Sequence, residues 1–354
     1  MRTPCLARVL VLALAATPAW PQAGEPEPCD PAPDERPVGD ARPGGDGEVF
    51  ALESPLASVD AQIARFSWTA KDLAKDPTGG KIAIADERFL LVVPPGAAPP
   101  AEDPWGLVVW IDPGDRFDLP PDWRTVLAAR RLVAVGAFGA GNDRYVWRRV
   151  ALALHAAHNV RQRFAIDPDR VYVAGYSGGG RVASRIGLQY PDVFTGGVYL
   201  CGADYYRTVP IAGKPGTRWP ARMPAPKGAL AERGRSHSRH VLVTGEHDDN
   251  RAPMLARYEH GWKADGFRYA HYLELPGHGH ECPDGTTFDR ALALVDAPVF
   301  VDEARARRAL ERARARVADE FVAGLDLLRA VGRDYAATAA GKEAAAEVER
   351  LEGK

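Results

Sequence analysis

One serine is surrounded by glycines at the point where a predicted strand gives way to a predicted helix. Ser177 lies in the run RVYVAGYSGGGRVAS (170–184) and fits the pattern G-x-S-x-G. A serine on a tight strand-to-helix turn can attack a carbonyl carbon, and small neighbours let the strand and the helix pass closely. The pattern alone is weak in a chain with 35 glycines. Its strand and helix flanks favour a strained turn over a flexible loop, so we interpret Ser177 as a nucleophile.

A serine hydroxyl needs a base to take its proton, and two later loops offer partners. The run HVLVTGEHDDNR ends one predicted strand and presents the carboxylates Glu246, Asp248 and Asp249. The run AHYLELPGHGHECPD ends the next strand and presents His278 and His280. The chain order serine, acid, histidine is one that serine hydrolases with a parallel sheet use. From the residues alone, any of the three carboxylates and either histidine fits its role.

Seven short apolar runs alternate with helical patterns between residues 88 and 300. Several of the runs are continuously apolar, as expected for strands covered on both faces of a sheet. This alternation predicts an α/β fold whose mostly parallel central sheet is flanked by helices. The predicted strands are 88–94, 106–111, 131–137, 170–176, 196–202, 240–246 and 270–276. The predicted helices are 146–164, 179–190 and 288–297.

The start of the chain is typical of a secretory signal peptide. Residues 1–23 combine Arg2 and Arg8, an apolar run and small residues near the expected cleavage point. The apolar run is shorter than the roughly 20 residues that span a bilayer. We therefore expect export to the periplasm or the medium, with no stable membrane span after the signal is removed.

The rest of the chain divides by composition. Residues 24–48 are rich in proline, glycine and acidic residues, which predicts a disordered linker. Residues 49–298 hold the α/β domain, and within it the Pro/Gly-rich stretch 203–238 is long enough to form a lid. Residues 299–354 have helical spacing without a strand candidate. They predict a helical tail that docks on the core or mediates self-association.

Three motifs together resemble the esterase and polyhydroxybutyrate-depolymerase-like branch of the α/β-hydrolase superfamily, which includes feruloyl-esterase-like enzymes. They are DPDRVYVAGYSGGGRVAS, GEHDDNR and LPGHGHECPD, and the resemblance covers roughly residues 85–300. It implies an α/β-hydrolase fold and a small-molecule or polymeric ester as substrate. It places the acid at Asp248 and the histidine at His280, so the implied catalytic triad is Ser177, Asp248 and His280. It implies no metal and no organic cofactor.

An acyl-transfer site also needs two N–H donors where negative charge develops. Gly178, directly after the nucleophile, supplies one. The second normally comes from the loop after an early strand, which here reads VVWIDPGDRF, with Asp112 and Pro113 at the usual donor positions. Proline has no N–H, so we expect Gly114, Asp115 or another group to complete this oxyanion hole. The loss of one donor typically costs about 10²–10³ in turnover.

Several side chains near these loops are candidates for substrate binding. Aromatic residues in a proline-rich insertion can line a pocket, and they fit packing of the insertion equally well. The glycine-rich run GAFGAGNDR follows a predicted strand and brings one amide side chain towards the cleft. The candidates are Tyr176, Tyr205, Tyr206, Trp219 and Asn142.

The cysteines leave two possibilities open. Removal of the signal peptide leaves Cys29, Cys201 and Cys282, and export permits disulfides. Cys201 and Cys282 both fall near the predicted site, which makes them the preferred pair, but two free thiols fit equally well. The chain has no C-x-x-C motif, so a structural zinc site is not expected.

Taken together, these features favour an exported serine hydrolase that cleaves carboxylic esters. The formal net charge of −2 gives no reason to expect nucleic acid as a partner. Two alternatives stay open. A serine peptidase of the prolyl-oligopeptidase type shares the fold and the order of the triad. A catalytically inactive hydrolase-like binding protein with a helical interaction tail is favoured by the loop at Asp112 and Pro113.

Overall fold

In the computed structural model, which describes residues 47–73, 75, 76, 78, 81–95, 99, 101 and 104–353, a mostly parallel sheet forms the centre of the protein. Across these residues the strands are β1 (Phe89–Val92), β2 (Trp105–Ile111), β3 (Leu132–Ala137), β4 (Ile166–Tyr176), β5 (Gly196–Leu200), β6 (Val209–Pro210), β7 (Arg218–Trp219), β8 (Arg239–Gly245) and β9 (Tyr269–Leu275). Strands β6 and β7 form a separate hairpin. The others pair in the order β1-β3-β2-β4-β5-β8-β9, and only β1 is antiparallel to its neighbour.

Helices cover both faces of the sheet, because strands β2, β3, β5 and β8 are buried along their whole length and are mostly apolar. Helices α4 and α5 pack on one face, and α3 and α8 pack on the other. The helices are α1 (Val59–Phe66), α2 (Ala70–Leu73), α3 (Pro121–Ala129), α4 (Val146–Arg163), α5 (Gly178–Gln189), α6 (Gly228–Ser236), α7 (Arg251–Arg257), α8 (Gly285–Phe300), α9 (Glu303–Asp319), α10 (Phe321–Asp334) and α11 (Ala339–Glu352). This is an α/β fold with a mostly parallel central sheet flanked by helices, as the alternation of strands and helices in the sequence predicts.

The topology brings three predicted site loops to one edge of the sheet. Strands β4, β8 and β9 run parallel, so their carboxyl ends lie at the same edge. They end at Tyr176, Gly245 and Leu275, and the loops that follow carry Ser177, Asp248 and His280. Ligand sites of open α/β sheets lie at the carboxyl ends of the strands, so this edge is where chemistry is expected.

The predicted helical tail forms α9, α10 and α11, which share a small apolar core of their own. Arg305 near the start of α9 pairs with Asp167 and Asp169, at the amino-terminal end of β4. The guanidinium of Arg170 lies over the ring of Phe300, at 4.9 Å from its centroid. The tail therefore docks on the α/β domain at the edge of the sheet opposite the site loops. Its self-association stays a prediction.

The segments around the domain are partly described. The predicted signal peptide 1–23 and residues 24–46 of the predicted linker lie outside the described residues. Glu48, the last residue of that linker, bridges to Phe89 and so already belongs to the fold. The 203–238 insertion carries the β6–β7 hairpin and α6. Among the described residues, none of the helices has the length and apolar character that crossing a bilayer requires.

Candidate active site

Ser177 occupies a strained turn between β4 and α5. Its backbone angles, φ 51° and ψ −118°, lie in a region that side-chain-bearing residues seldom adopt. A Cβ atom on Gly179 would lie 2.0 Å from the carbonyl oxygen of Ile111, and one on Gly175 would lie 2.6 Å from the same oxygen. These glycines therefore serve close backbone approach, and Ser177 is held with its side chain at the start of the helix.

His280 connects the serine to the acid loop. Its Nε2 atom lies 2.9 Å from Ser177 Oγ, and its Nδ1 atom lies 2.8 Å from Asp248 Oδ1. The hydroxyl of Tyr176 donates to the backbone carbonyl of His280 at 2.8 Å, which fixes the histidine loop against the end of β4. The sequence thus brings together the serine, histidine and carboxylate that its motifs singled out.

The carboxylate of Asp248 is buried and fully hydrogen-bonded. Besides the contact with His280, Oδ1 accepts from the backbone N–H of Asn250 at 2.8 Å, and Oδ2 accepts from the hydroxyl of Thr244 at 2.8 Å. Burial alone would raise the pKa of Asp248, but these donors outweigh burial and lower it. Asp248 is therefore an anion beneath the imidazole, placed to hold one tautomer and to stabilise its protonated form.

Asn250 is a site residue that we did not single out from the sequence. Its Nδ2 atom donates to the carbonyl of Cys201 at 3.0 Å and lies 3.4 Å from His280 Nδ1. Its Oδ1 atom accepts from Arg181 Nη2 at 2.6 Å. This amide links the acid loop, the histidine and helix α5. A signal was present, because Asn250 is the asparagine of the GEHDDNR motif.

The other candidates for acid and base lie outside this arrangement. Glu246 accepts from the backbone N–H of Gly277 at 3.0 Å, and Asp249 is exposed. His278 is also exposed, and its Nδ1 lies 3.0 Å from the carbonyl of Pro276. The choice of Asp248 and His280, which the motif resemblance implied, agrees with the contacts seen here.

The loop after β2 differs from expectation at the predicted oxyanion donor Gly114. Its N–H donates to Asp112 Oδ1 at 2.9 Å, in a turn closed two residues along the chain. Asp112 Oδ2 accepts from Trp110 Nε1 at 3.0 Å. Burial is the main cause that raises the pKa of Asp112. The Gly114 N–H is therefore already used within its own turn, and its role as an oxyanion donor stays a prediction.

The second predicted donor residue, Asp115, has its side chain engaged elsewhere. Its carboxylate pairs with Arg144, with Nε 3.0 Å from Oδ2, and accepts from the N–H of Gly141 at 2.8 Å. The hydrogen bond from Arg144 is the main cause that lowers the pKa of Asp115. Its carbonyl accepts from the N–H of Gly139 at 2.8 Å. The negative charge of Asp115 is thus neutralised by an arginine.

A buried arginine joins the two loops beside the nucleophile. Arg149 on α4 donates from Nη2 to the carbonyl of Asp112 at 3.0 Å, and from Nη1 to Asn142 Oδ1 at 3.3 Å. Burial is the main cause that lowers the pKa of Arg149, to about 10, so it stays protonated at neutral pH. The sequence analysis did not identify Arg149, although a charged residue within the apolar face of a long helix indicates a buried residue with specific partners.

The predicted aromatic substrate contacts divide into two groups. Tyr176 is 1% exposed, and Tyr205 is 0% exposed with its hydroxyl donating to Asp265 Oδ2 at 2.7 Å. Both therefore pack in the core of the protein, and their contact with substrate stays a prediction. Tyr206 stacks on Tyr205 with ring centroids 4.1 Å apart, and Trp219 lies on β7. For these two the predicted role stays a prediction.

The predicted disulfide between Cys201 and Cys282 is not formed. Cys201 is a buried free thiol at the end of β5, and its Sγ lies 3.5 Å from the carbonyl of Glu281, whereas Cys282 is exposed. Burial is the main cause that raises the pKa of Cys201.

One group of potential metal ligands coincides with the site. Cys201, Asp248 and His280 each offer a ligand atom, and these atoms lie within 4.8 Å of one another. His280 Nδ1 and Asp248 Oδ1 are already hydrogen-bonded to each other. The opposite ring nitrogen of His280, Nε2, faces Ser177 Oγ, so the contact with Asp248 orients the imidazole to take a proton from the serine hydroxyl.

Comparison with known proteins gives structural likeness only. No protein-family model and no curated protein matches the sequence. The chain is similar to Est2, a thermophilic esterase from the Planctomycetes species Thermogutta terrifontis, at 18% identity and a TM-score of 0.42, over 62% of this chain and 89% of that chain. It is also similar to EstE1, a thermophilic carboxylesterase cloned from a metagenomic library, at 19% identity and a TM-score of 0.44, over 59% of this chain and 83% of that chain. We therefore take the function from the contacts of the site itself.

Proposed function

We propose that this protein is a serine hydrolase that cleaves carboxylic esters through an acyl-enzyme. The observation that carries the proposal is the hydrogen-bonded chain Ser177–His280–Asp248, with contacts of 2.9 Å and 2.8 Å. A serine at a strained turn, an imidazole within reach of its hydroxyl and a buried carboxylate behind the imidazole are the parts that activate a serine nucleophile.

The reaction follows from these contacts. Ser177 Oγ attacks the ester carbonyl while His280 Nε2 takes its proton, and Asp248 stabilises the imidazolium that forms. The tetrahedral intermediate collapses, and His280 returns the proton to the leaving alcohol. Water, deprotonated by the same imidazole, then attacks the acyl-enzyme and releases the acid. The esterase class rests on the motif resemblance around Ser177, Asp248 and His280, which also supports the depolymerase-like and feruloyl-esterase-like subtypes as proposals.

We also propose that the chain is exported, on the strength of the signal-peptide pattern in residues 1–23. An exported hydrolase of this kind meets soluble or polymeric esters outside the cytoplasm.

The proposal is tested with a fluorophosphonate probe, which phosphonylates activated serines. Wild type should label and Ser177→Ala should not. Ser236→Ala is the matched control, since the hydroxyl of Ser236 also contacts a histidine, with 2.6 Å between its Oγ and His237 Nδ1, yet is half-buried at the end of α6, outside the site loops. It should label like wild type. Absence of labelling in wild type, beside an active esterase in the same tube, overturns the proposal.

A second arm separates esters from peptides. Hydrolysis of a p-nitrophenyl ester should be readily measurable, and hydrolysis of peptide p-nitroanilides should be slower by orders of magnitude. If only the anilides are cleaved, the protein is a peptidase and the ester proposal is wrong. If Ser177→Ala retains ester turnover, the nucleophile has been misassigned.

A further inference from the structure

The loop after β2 leaves the second oxyanion donor unassigned. Pro113 has no N–H, the N–H of Gly114 is held by Asp112, and the backbone nitrogen of Asp115 lies against Gly141, 2.9 Å from the position of a Cβ atom there. We propose that the side-chain amide of Asn142 is that donor, with Nδ2 acting together with the backbone N–H of Gly178. This inference rests on the proposed function, because an oxyanion forms only if Ser177 attacks a carbonyl.

Asn142 lies directly against the residue that follows the nucleophile. A Cβ atom on Gly178 would be 1.9 Å from Asn142 Oδ1 and 2.9 Å from Nδ2. Since the backbone nitrogen of any residue is about 2.5 Å from its own Cβ position, Nδ2 and the Gly178 nitrogen are at most about 5.4 Å apart. An oxygen that accepts from two donors at about 2.9 Å each can span about 5.8 Å. The two nitrogens can therefore reach one oxyanion.

The orientation of the amide is set by Arg149. A guanidinium only donates, so its contact of 3.3 Å identifies the Asn142 atom facing it as the carbonyl oxygen Oδ1. Nδ2 is then the other end of the amide, and within the described part of the chain no acceptor binds it. The backbone N–H of Asn142 donates to the carbonyl of Pro113 at 2.7 Å, which fixes the loop. Asn142 is exposed, so a substrate can reach this donor.

The arrangement also makes Arg149 a positioning residue. It is 4% exposed and holds both Asn142 Oδ1 and the carbonyl of Asp112. As the bond from Ser177 Oγ to the substrate carbon forms, the carbonyl π electrons move onto oxygen. The N–H groups of Gly178 and Asn142 then donate to that oxygen, and their hydrogen bonds weaken again when the intermediate collapses.

The test compares Asn142→Ala and Asn142→Asp with wild type on a p-nitrophenyl ester. Removal of one preorganised donor should lower kcat by about 10²–10³ while KM changes little. Asn142→Asp should lose at least as much, because a carboxylate keeps a partner for Arg149 but places negative charge beside the oxyanion. Asp143→Asn, the exposed neighbour in the same loop, is the matched control and should retain kcat.

Two further readouts keep the outcomes distinct. The rate of fluorophosphonate labelling should fall in parallel with kcat in both Asn142 variants, since the phosphonyl oxygen uses the same donors. Thermal unfolding controls for the loss of the contact with the buried Arg149: Asn142→Asp keeps an acceptor and should unfold at the wild-type temperature, whereas Asn142→Ala should unfold slightly below it. If wild type turns over the ester and Asn142→Ala keeps kcat within threefold, the donor role is overturned and the proposed function stands. If wild type shows neither turnover nor labelling, both are overturned.

Discussion

Replacement of Asp248 by asparagine isolates the contribution of one charge. Asp248 Oδ1 accepts from both His280 and the backbone N–H of Asn250, at 2.8 Å each. The asparagine oxygen should take this position, because its amide nitrogen can face the hydroxyl of Thr244, which can rotate to accept. The tautomer of His280 is then preserved, and the variant loses only the carboxylate charge.

The magnitude follows from Coulomb's law. A carboxylate and an imidazolium whose charge centres are about 4 Å apart attract by about 4 kcal/mol at an effective dielectric constant near 20. This attraction exists only once His280 has taken the proton of Ser177, so its loss raises the barrier rather than weakening substrate binding. Asp248→Asn should therefore lower kcat by about 10³, with KM nearly unchanged.

The assay is steady-state hydrolysis of a p-nitrophenyl ester at a pH where the rate no longer changes with pH. Asp249→Asn is the matched control, because Asp249 is adjacent but exposed, and it should keep nearly full kcat. A loss below tenfold in Asp248→Asn, or an equal loss in Asp249→Asn, would refute this account of the acid.

Two other predictions address the base and the buried charges. His280→Ala should abolish ester turnover and His278→Ala should largely spare it, which initial rates of hydrolysis measure. The opposite result would show that His278 is the base. Asp204→Asn should destabilise the fold by about 3–5 kcal/mol in denaturant unfolding, because it leaves the buried Arg257 and the half-buried Arg185 without their anion. Burial alone would raise the pKa of Asp204, but these arginines lower it, so wild type should lose stability as pH falls below about 3.9 and the variant should lose less; equal losses would contradict this.

Much of the architecture could be predicted because it depends on local patterns. All seven predicted strands form the sheet, since continuously apolar runs have no stable alternative to burial on both faces. Ser177, Asp248 and His280 meet because each follows the carboxyl end of a parallel strand. The shortest elements, such as the hairpin β6–β7, carry too few residues for a periodic pattern.

The sequence was uninformative where a contact depends on partners distant in sequence or on the detail of a turn. Tyr205 is buried because Trp262, some 57 positions later, packs against its ring at 4.6 Å. The surroundings of Cys201 depend on how the loop after β9 returns to the sheet. The contact of Gly114 is local: its backbone N–H donates to the carboxylate of Asp112, two residues earlier. Aspartate side chains often take backbone N–H groups in this way.

The docking of the helical tail has a practical consequence for handling the protein. Arg305 attaches α9 near Asp167, ten residues before Ser177 along β4. Ten strand residues span roughly 33 Å. If the protein is attached to a surface, carrier or reporter through the exposed face of the tail, the attachment point therefore lies at the edge of the sheet opposite the site loops. Ser177 and His280, at the opposite edge of the sheet, would then lie on the side of the domain away from the attachment point.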